Sequence, residues 1–250
     1  MRRLLTLTLV LLVLGGCASQ SVREDANPRK SAELNAELGL RYMLQGKNDL
    51  ALEKLERALR FDPESATAHH YLAELYRRLG RSEKAAGHYR EALDLDPDNS
   101  STRNNYAVFL CSEEAYDEAL EQFETVLDNP VYNKAANVYE NMGLCMRQKG
   151  DAERAERYFR KALERDPELQ KSLYAMAETT FRQGNALSAR GYLQRYQAAA
   201  RHTPESLWLG VQIERALGDR DAMASYGMLL EGRFPDARQT ERYRELVADD

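Results

Sequence analysis

The sequence is poor in the residues that build metal sites and disulfide frameworks. It has 250 residues but only three cysteines and four histidines. Three cysteines are too few for the disulfide-rich scaffolds of small secreted proteins. Because no Cys-x-x-Cys pair accompanies the histidines, we expect no metal site and no metal cofactor.

Signatures of catalysis and of nucleic-acid binding are also missing. The sequence has no nucleophile elbow, no glycine-rich phosphate loop and no His-x-x-x-His pair, so we predict no catalytic residue and no small-molecule substrate. The formal net charge is −5, from 35 Lys+Arg and 40 Asp+Glu. An acidic chain does not offer the basic surface that nucleic acid requires, and we expect no nucleic-acid partner.

Long apolar runs are absent except near the start of the chain. Two arginines precede an apolar stretch of 11 residues at 4–14, whereas a membrane-spanning helix needs about 20. A positive start, a short apolar core and small residues after it are typical of a secretory signal peptide. Here the small residues are Gly15 and Gly16, and Cys17 follows them.

This junction resembles the lipobox of bacterial lipoproteins. The resemblance implies that residues 1–16 are a signal peptide, and that Cys17 carries a covalent lipid, the only cofactor we expect. In Gram-negative lipoproteins an aspartate after the cysteine usually retains the protein at the inner membrane, but Ala18 follows it here. We therefore expect the protein to lie at the periplasmic face of the outer membrane and to contact the membrane through its lipid anchor only. A plain signal peptide with an incidental cysteine is the alternative.

Residues 17–31 predict a flexible tether between the lipid and the body of the protein. The stretch ASQSVREDANPRKS is polar, contains Pro28 and shows no apolar period. Such a composition is typical of an extended linker without a core of its own.

A 34-residue self-similarity dominates the remaining chain. The segments LGLRYMLQGKNDLALEKLERALRFDP, LAELYRRLGRSEKAAGHYREALDLDP and MGLCMRQKGDAERAERYFRKALERDP share small residues, Gly, Ala and Asp-Pro at fixed offsets. This pattern resembles tetratricopeptide repeats, each a helix–turn–helix unit. The resemblance implies an all-α fold, a right-handed superhelical solenoid over residues 32–237. Its six repeats are expected at residues 32–65, 66–99, 100–135, 136–169, 170–203 and 204–237.

Some positions depart from the repeat pattern. Repeat three has Glu114 where other repeats have a turn glycine, and repeat six has Val211, Met223 and Gly227 at small, alanine and aromatic positions. Residues 238–250 are mostly polar with a few apolar residues on one side, which suits a capping helix and tail over the last apolar face.

Cys111 and Cys145 fall in the first helices of repeats three and four, at non-equivalent positions. Neighbouring helices of a solenoid pack about 8–10 Å apart, whereas a disulfide needs Cα atoms within about 7 Å. We therefore favour two free and mostly buried thiols, with a disulfide as the alternative.

Repeat arrays of this kind bind partners on a concave surface, which in this family is lined by the first helix of each repeat. The candidate partner-binding residues on that surface are Leu40, Met43, Leu44, Tyr71, Arg77, Asn104, Asn105, Asn141, Arg147, Tyr174 and Trp208. Apolar, amide and arginine side chains together suit a peptide or protein segment. For each residue, an ordinary packed or solvated helix face is the alternative.

A lipidated chain with six such repeats resembles the type IV pilus biogenesis and stability lipoproteins of the PilF/PilW type, which include secretin pilotins. The segments NNYAVFLCSEEAYDEALEQF, NVYENMGL and SLWLGVQIERALGDRDAMASYGMLLEGRFP carry the resemblance. It implies that the protein binds pilus secretin subunits and promotes their outer-membrane localisation and multimerisation. Two alternatives stay open: a general periplasmic scaffold for outer-membrane protein assembly or cell-wall enzymes, and an enzyme whose site the sequence does not reveal.

Overall fold

A computed structural model describes residues 27–248, and these residues form thirteen α-helices and no strand. The predicted signal peptide, Cys17 and most of the predicted tether lie outside the described residues. The helices are α1 (Pro28–Leu44), α2 (Asn48–Phe61), α3 (Ala66–Arg78), α4 (Ser82–Leu95), α5 (Ser100–Ser112), α6 (Tyr116–Leu127), α7 (Ala135–Lys149), α8 (Ala152–Arg165), α9 (Gln170–Arg182), α10 (Ala186–Ala199), α11 (Pro204–Leu217), α12 (Arg220–Arg233) and α13 (Arg238–Ala248).

The first twelve helices pack as six consecutive hairpins, from α1 with α2 to α11 with α12. The predicted all-α repeat fold is thereby confirmed. The first helix begins at Pro28, inside the stretch predicted as a tether. Asn27 caps it, since its Oδ1 accepts the Arg29 amide at 3.1 Å, and proline is favoured in a first helical turn. Residues 28–31 are thus helical, contrary to the prediction.

A residue in the left-handed region closes the first helix of each hairpin. Five of these residues are glycines, with φ between 66° and 85°, and Glu114 takes the same place in the third hairpin with φ 63°. A side chain in this region costs about 1–2 kcal/mol. Because Glu114 adopts the same conformation as the turn glycines, the third turn keeps the same geometry without a glycine.

Close contact between the two helices of a hairpin depends on small residues. A Cβ added at Gly143 of α7 would lie 2.6 Å from the Phe159 ring of α8. In the sixth hairpin the corresponding pair is Gly210 and Tyr226, one residue before the positions that the repeat pattern indicated. This shift accounts for the apparent departures in repeat six.

Helix α13 covers the last hairpin. It packs on α11 and α12, and its Thr240 and Tyr243 are buried. The Tyr243 ring occupies the space that a side chain at Gly227 would need. The aromatic residue of this repeat is Tyr226, one position earlier, and Gly227 is the small residue that lets the cap pack closely on α12.

Cys111 and Cys145 form a disulfide between α5 and α7, with Cα atoms 5.7 Å apart. The prediction of two free thiols was wrong. It compared a separation of helix axes with a separation of Cα atoms, but Cα atoms lie about 2.3 Å from a helix axis. On facing sides of two helices they approach several ångströms closer than the axes do. Both cysteines are buried.

The curvature of the array follows from which helices touch. Among residues 27–248 the first helices of successive hairpins contact one another, whereas the second helices do not. The first helices α1, α3, α5, α7, α9 and α11 therefore line the inner, concave side. None of the described helices is long and apolar enough to cross a membrane.

Candidate partner-binding groove

The concave face begins with an apolar strip on α1. Leu40 is half-buried against the core, and Leu44, one turn later, is 69 % exposed. Tyr71 lies on α3, the first helix of the next hairpin, and is also half-buried. This end of the groove can contact apolar side chains of a partner.

Met43 does not belong to this strip. Its side chain is only 2 % exposed and packs in the hydrophobic core, while its carbonyl oxygen accepts a hydrogen bond from Arg78 Nη1 at 3.1 Å. The helical period explains the difference, because Met43 is rotated away from Leu44 by about 100° towards the second hairpin. Met43 therefore has a packing role, and the prediction that it contacts a partner was wrong.

A chain of side-chain amides crosses the middle of the groove. Asn141 Nδ2 of α7 donates to Asn104 Oδ1 of α5 at 3.1 Å, and Asn104 Nδ2 lies 3.4 Å from Asn105 Oδ1. Asn105 Nδ2 in turn donates to His70 Nε2 of α3 at 3.0 Å. The predicted amides are thus brought together, and they join three successive hairpins.

His70 completes this chain as a neutral acceptor. Burial lowers its pKa from the ordinary value, opposed by the nearby Glu74 carboxylate. A neutral imidazole with its proton on Nδ1 leaves Nε2 free to accept the amide hydrogen. Amides with capacity left over can bind the main chain of a protein segment, since each amide offers both donor and acceptor atoms.

Arg77 is held on the groove side of α3 by an ion pair. Its Nη2 lies 2.9 Å from Glu74 Oε2, and the other oxygen of Glu74 accepts a hydrogen bond from the Tyr89 hydroxyl. Burial, and then the Glu74 carboxylate, raise the pKa of Tyr89. Tyr89 therefore stays protonated as the donor, and Arg77 presents a fixed positive charge.

The second half of the groove carries exposed charge. Arg147 Nη1 of α7 lies 3.4 Å from Glu178 Oε2 of α9, and Arg182 lies 3.9 Å from the same oxygen. Burial, and then Glu178, raise the pKa of the half-buried Tyr174. Exposed pairs of this kind contribute little to stability, so these side chains can exchange partners at small cost.

Trp208, at the far end, is half-buried. It packs on the small core that α11 shares with α12 and α13, which contains Leu207, Val211 and Leu230. One side of the indole is therefore committed to packing, and the remainder is available at the end of the groove.

Glu140 is a buried residue of this surface that the sequence reasoning missed. It is 6 % exposed, and its Oε2 accepts the Ser172 amide at 3.0 Å and the Ser172 hydroxyl at 2.9 Å. It caps α9 from the neighbouring hairpin, because Leu169 at the start of α9 has no side chain that can do so. The sequence signal for this contact is Leu169, an apolar residue at the N-cap position of α9, because such a helix start needs a hydrogen-bond acceptor from elsewhere in the protein.

Taken together, the groove is apolar on α1 and carries amides across α5 and α7, with charged side chains at Arg77 on α3 and from Arg147 on α7 onwards. Between residues 27 and 248 no group of three or more His, Cys, Asp or Glu side chains is placed to hold a metal ion. The arrangement is suited to binding a protein segment.

Comparison with known proteins places this fold in a family. The tetratricopeptide repeat matches residues 37–100, 98–168 and 146–208. The type IV pilus assembly protein PilF of Pseudomonas aeruginosa is 29 % identical over 248 residues, which cover 96 % of each chain. The chain belongs to the type IV pilus family of tetratricopeptide-repeat proteins.

Solved structures of this family agree with that placement. The structure of Pseudomonas aeruginosa PilF has a TM-score of 0.78 at 29 % identity, covering 89 % of this chain and 99 % of that one. The structure of PilW, described as a widely conserved type IV pilus biogenesis factor, has a TM-score of 0.75 at 28 % identity. It covers 84 % of this chain and 97 % of PilW. The likeness therefore extends over the whole repeat array of the family.

Proposed function

We propose that this protein is an outer-membrane lipoprotein that binds the pilus secretin subunit through its concave groove and promotes secretin localisation and multimerisation. The observation that carries the proposal is the similarity to a type IV pilus assembly protein over 96 % of both chains. The family membership supplies the pilus context. The lipid anchor, the groove and the partner are what the proposal adds.

The anchor is the lipid on Cys17. One acyl chain gives only marginal membrane binding, and stable attachment takes more than one, which the acyl chains of a mature lipoprotein provide. The Cys111–Cys145 disulfide supports export, because disulfides form and persist in oxidising compartments such as the periplasm.

The groove supplies the binding surface. Leu40, Leu44 and Tyr71 offer an apolar docking place for a helix or strand, a common mode of peptide recognition. The amides of Asn104, Asn105 and Asn141 follow along the array, in the direction in which an extended segment would continue.

Anchoring and binding together explain how assembly is promoted. A scaffold confined to the membrane surface brings bound subunits to the same surface, which raises their effective concentration for ring formation. The groove needs no chemistry beyond binding for this role, in keeping with a repeat family of scaffold proteins.

Replacing Cys17 by Ser tests the escort role. The expected result is a folded, soluble periplasmic protein together with mislocalised or unassembled secretin, measured by fractionation of envelopes and gel detection of secretin multimers. Expression of the unchanged protein is the control. Normal secretin multimers in the outer membrane of the Cys17→Ser strain would overturn the escort mechanism.

A further inference from the structure

The N-terminal end of the array exposes a helix face that every later repeat buries. Leu34 and Leu38, the third and seventh residues of the first repeat, are 53 % and 39 % exposed. The side chains at the same two positions of the next four repeats are at most 7 % exposed, and the sixth repeat buries both residues as well. These later residues are Ala68, Leu72, Thr102, Tyr106, Val138, Met142, Ser172, Met176, Ser206 and Gly210.

The difference arises from the missing neighbour. In each later repeat the second helix of the preceding hairpin packs on the first helix, as α2 does on α3. Helix α1 has no preceding hairpin among residues 27–248. The opposite end of the array is closed by α13, whose Tyr243 is buried against α12. Only the N-terminal end therefore presents an uncovered apolar face in the described chain.

Basic residues share this face. Lys30 and Arg41 are exposed and lie within about 40° of Leu34 around the helix axis. At the Arg41 position, the later repeats mostly bury an apolar residue such as Leu75, Phe109 or Ile213. The exposed acidic residues Glu33 and Glu37 lie about 100° and about 60° from Leu34, on the side of α1 that turns towards Leu44. The outward stripe is thus apolar with a cation at each end.

This end of the array is also the one nearest to Cys17. Ten residues lie between Cys17 and Pro28, and the roughly eleven Cα–Cα steps from one to the other span at most about 40 Å when fully extended. A lipid on Cys17 therefore keeps α1, of all the helices, close to the bilayer surface.

The size of the patch favours a membrane over a protein partner. Burying what is exposed of two leucines shifts an equilibrium by about ten- to a hundredfold. An independent protein interface usually buries about 1,600 Å² in total, far more than this stripe offers. A contact that the anchor already holds in place needs no such area, since it is intramolecular in effect.

We infer that the outward face of α1 docks on the membrane surface, with Leu34 and Leu38 in the headgroup region and Lys30 and Arg41 beside anionic headgroups. Interfacial helices bind in this manner. The inference rests on the proposed function, because it requires the lipid on Cys17. Docking orients the array and leaves the groove face of α1 free, since Leu44 lies about 80° from Leu34 and about 120° from Leu38 around the helix.

A fluorescent probe placed in turn on α1 and on α10 tests this contact. The lipidated protein carries the label NBD at Leu34→Cys, and in a matched variant at Leu187→Cys on α10, where the native leucine is 69 % exposed. Vesicles of phosphatidylethanolamine and phosphatidylglycerol hold each variant. At position 34, the expected result is an emission shift to shorter wavelength together with quenching by spin-labelled lipid. At position 187, neither the shift nor the quenching is expected.

Each other outcome overturns the contact in a distinguishable way. Floated protein with the same emission at both positions removes the docking and leaves the proposed function intact. A shift at position 34 that spin-labelled lipid does not quench, and that grows with protein density, assigns the face to a second copy of the chain. Protein that does not float with the vesicles overturns the lipid anchor, and the proposed function and the docking then fall together.

Discussion

The two ends of the repeat array are finished in different ways. At the C-terminal end, α13 places Tyr243 in the space that Gly227 leaves open, and the last apolar face is buried within the chain. At the N-terminal end, Leu34 and Leu38 remain exposed on α1. A solenoid needs its terminal faces covered. Within residues 27–248, the last apolar face is thus covered by α13, whereas the first one remains exposed.

The largest expected effect concerns the link between the two halves of the array. Replacing Cys111 and Cys145 by Ser removes a crosslink that closes 34 residues, and chain entropy alone predicts a loss of about 4 kcal/mol. The α1 end should then lose hydrogen-exchange protection more widely than the α13 end, because it lacks a cap. Urea unfolding followed by circular dichroism measures the loss. Unchanged stability, or equal loss of protection at both ends, would contradict this.

The capped end should be sensitive to truncation of its central side chain. Tyr243→Ala removes an aromatic ring that is 9 % exposed, so its cost should fall at the lower end of the usual range, about 3 kcal/mol. The matched change at the open end is Leu38→Ala, which should cost under about 1 kcal/mol because the side chain is already 39 % exposed. Denaturant unfolding of both variants provides the comparison. Equal losses would show that the two ends do not differ.

A change in the middle of the array provides a reference for both ends. Glu114→Gly relieves a left-handed residue and should stabilise the protein by about 1 kcal/mol. Gly80→Ala, at the equivalent turn, should destabilise it by a similar amount. Thermal unfolding of the two variants reports the signs, and a destabilising Glu114→Gly would mean that contacts of Glu114 outweigh its backbone cost.

The smallest effect is expected at the open end in solution. Leu34 is the more exposed of the two leucines on α1, at 53 %, and Leu34→Ala should alter the free energy of unfolding by no more than about 0.5 kcal/mol, as for other surface substitutions. Urea unfolding without vesicles measures it. A loss of several kcal/mol would indicate that this leucine is covered within the protein, and the contrast between the ends would disappear.

The repeat architecture could be predicted from the sequence because it depends on local periodicity. Small residues, turn glycines and Asp-Pro recur at a fixed offset, and each has a local physical cause. Even the exception at Glu114 could be placed, since its turn keeps the same conformation.

Features that depend on the register between neighbouring helices could not be predicted. The disulfide was missed because Cys111 and Cys145 face each other from non-equivalent positions. The hydrogen bond from Asn141 to Asn104 likewise joins non-equivalent positions of two neighbouring first helices. Met43 was assigned to the groove because a position in the repeat does not reveal how far the next hairpin covers it.

The most direct test of the groove as the secretin-binding surface is the recovery of secretin with two matched variants. Leu44→Glu and Leu187→Glu each place a charge at a leucine that is 69 % exposed, the first in the groove and the second on α10. Each lipidated variant is isolated from detergent-solubilised envelopes, and bound secretin is quantified by mass spectrometry. Secretin is expected to be lost with Leu44→Glu and retained with Leu187→Glu. Equal recovery from both, or recovery of cell-wall enzymes or barrel-assembly subunits in place of secretin, would contradict it.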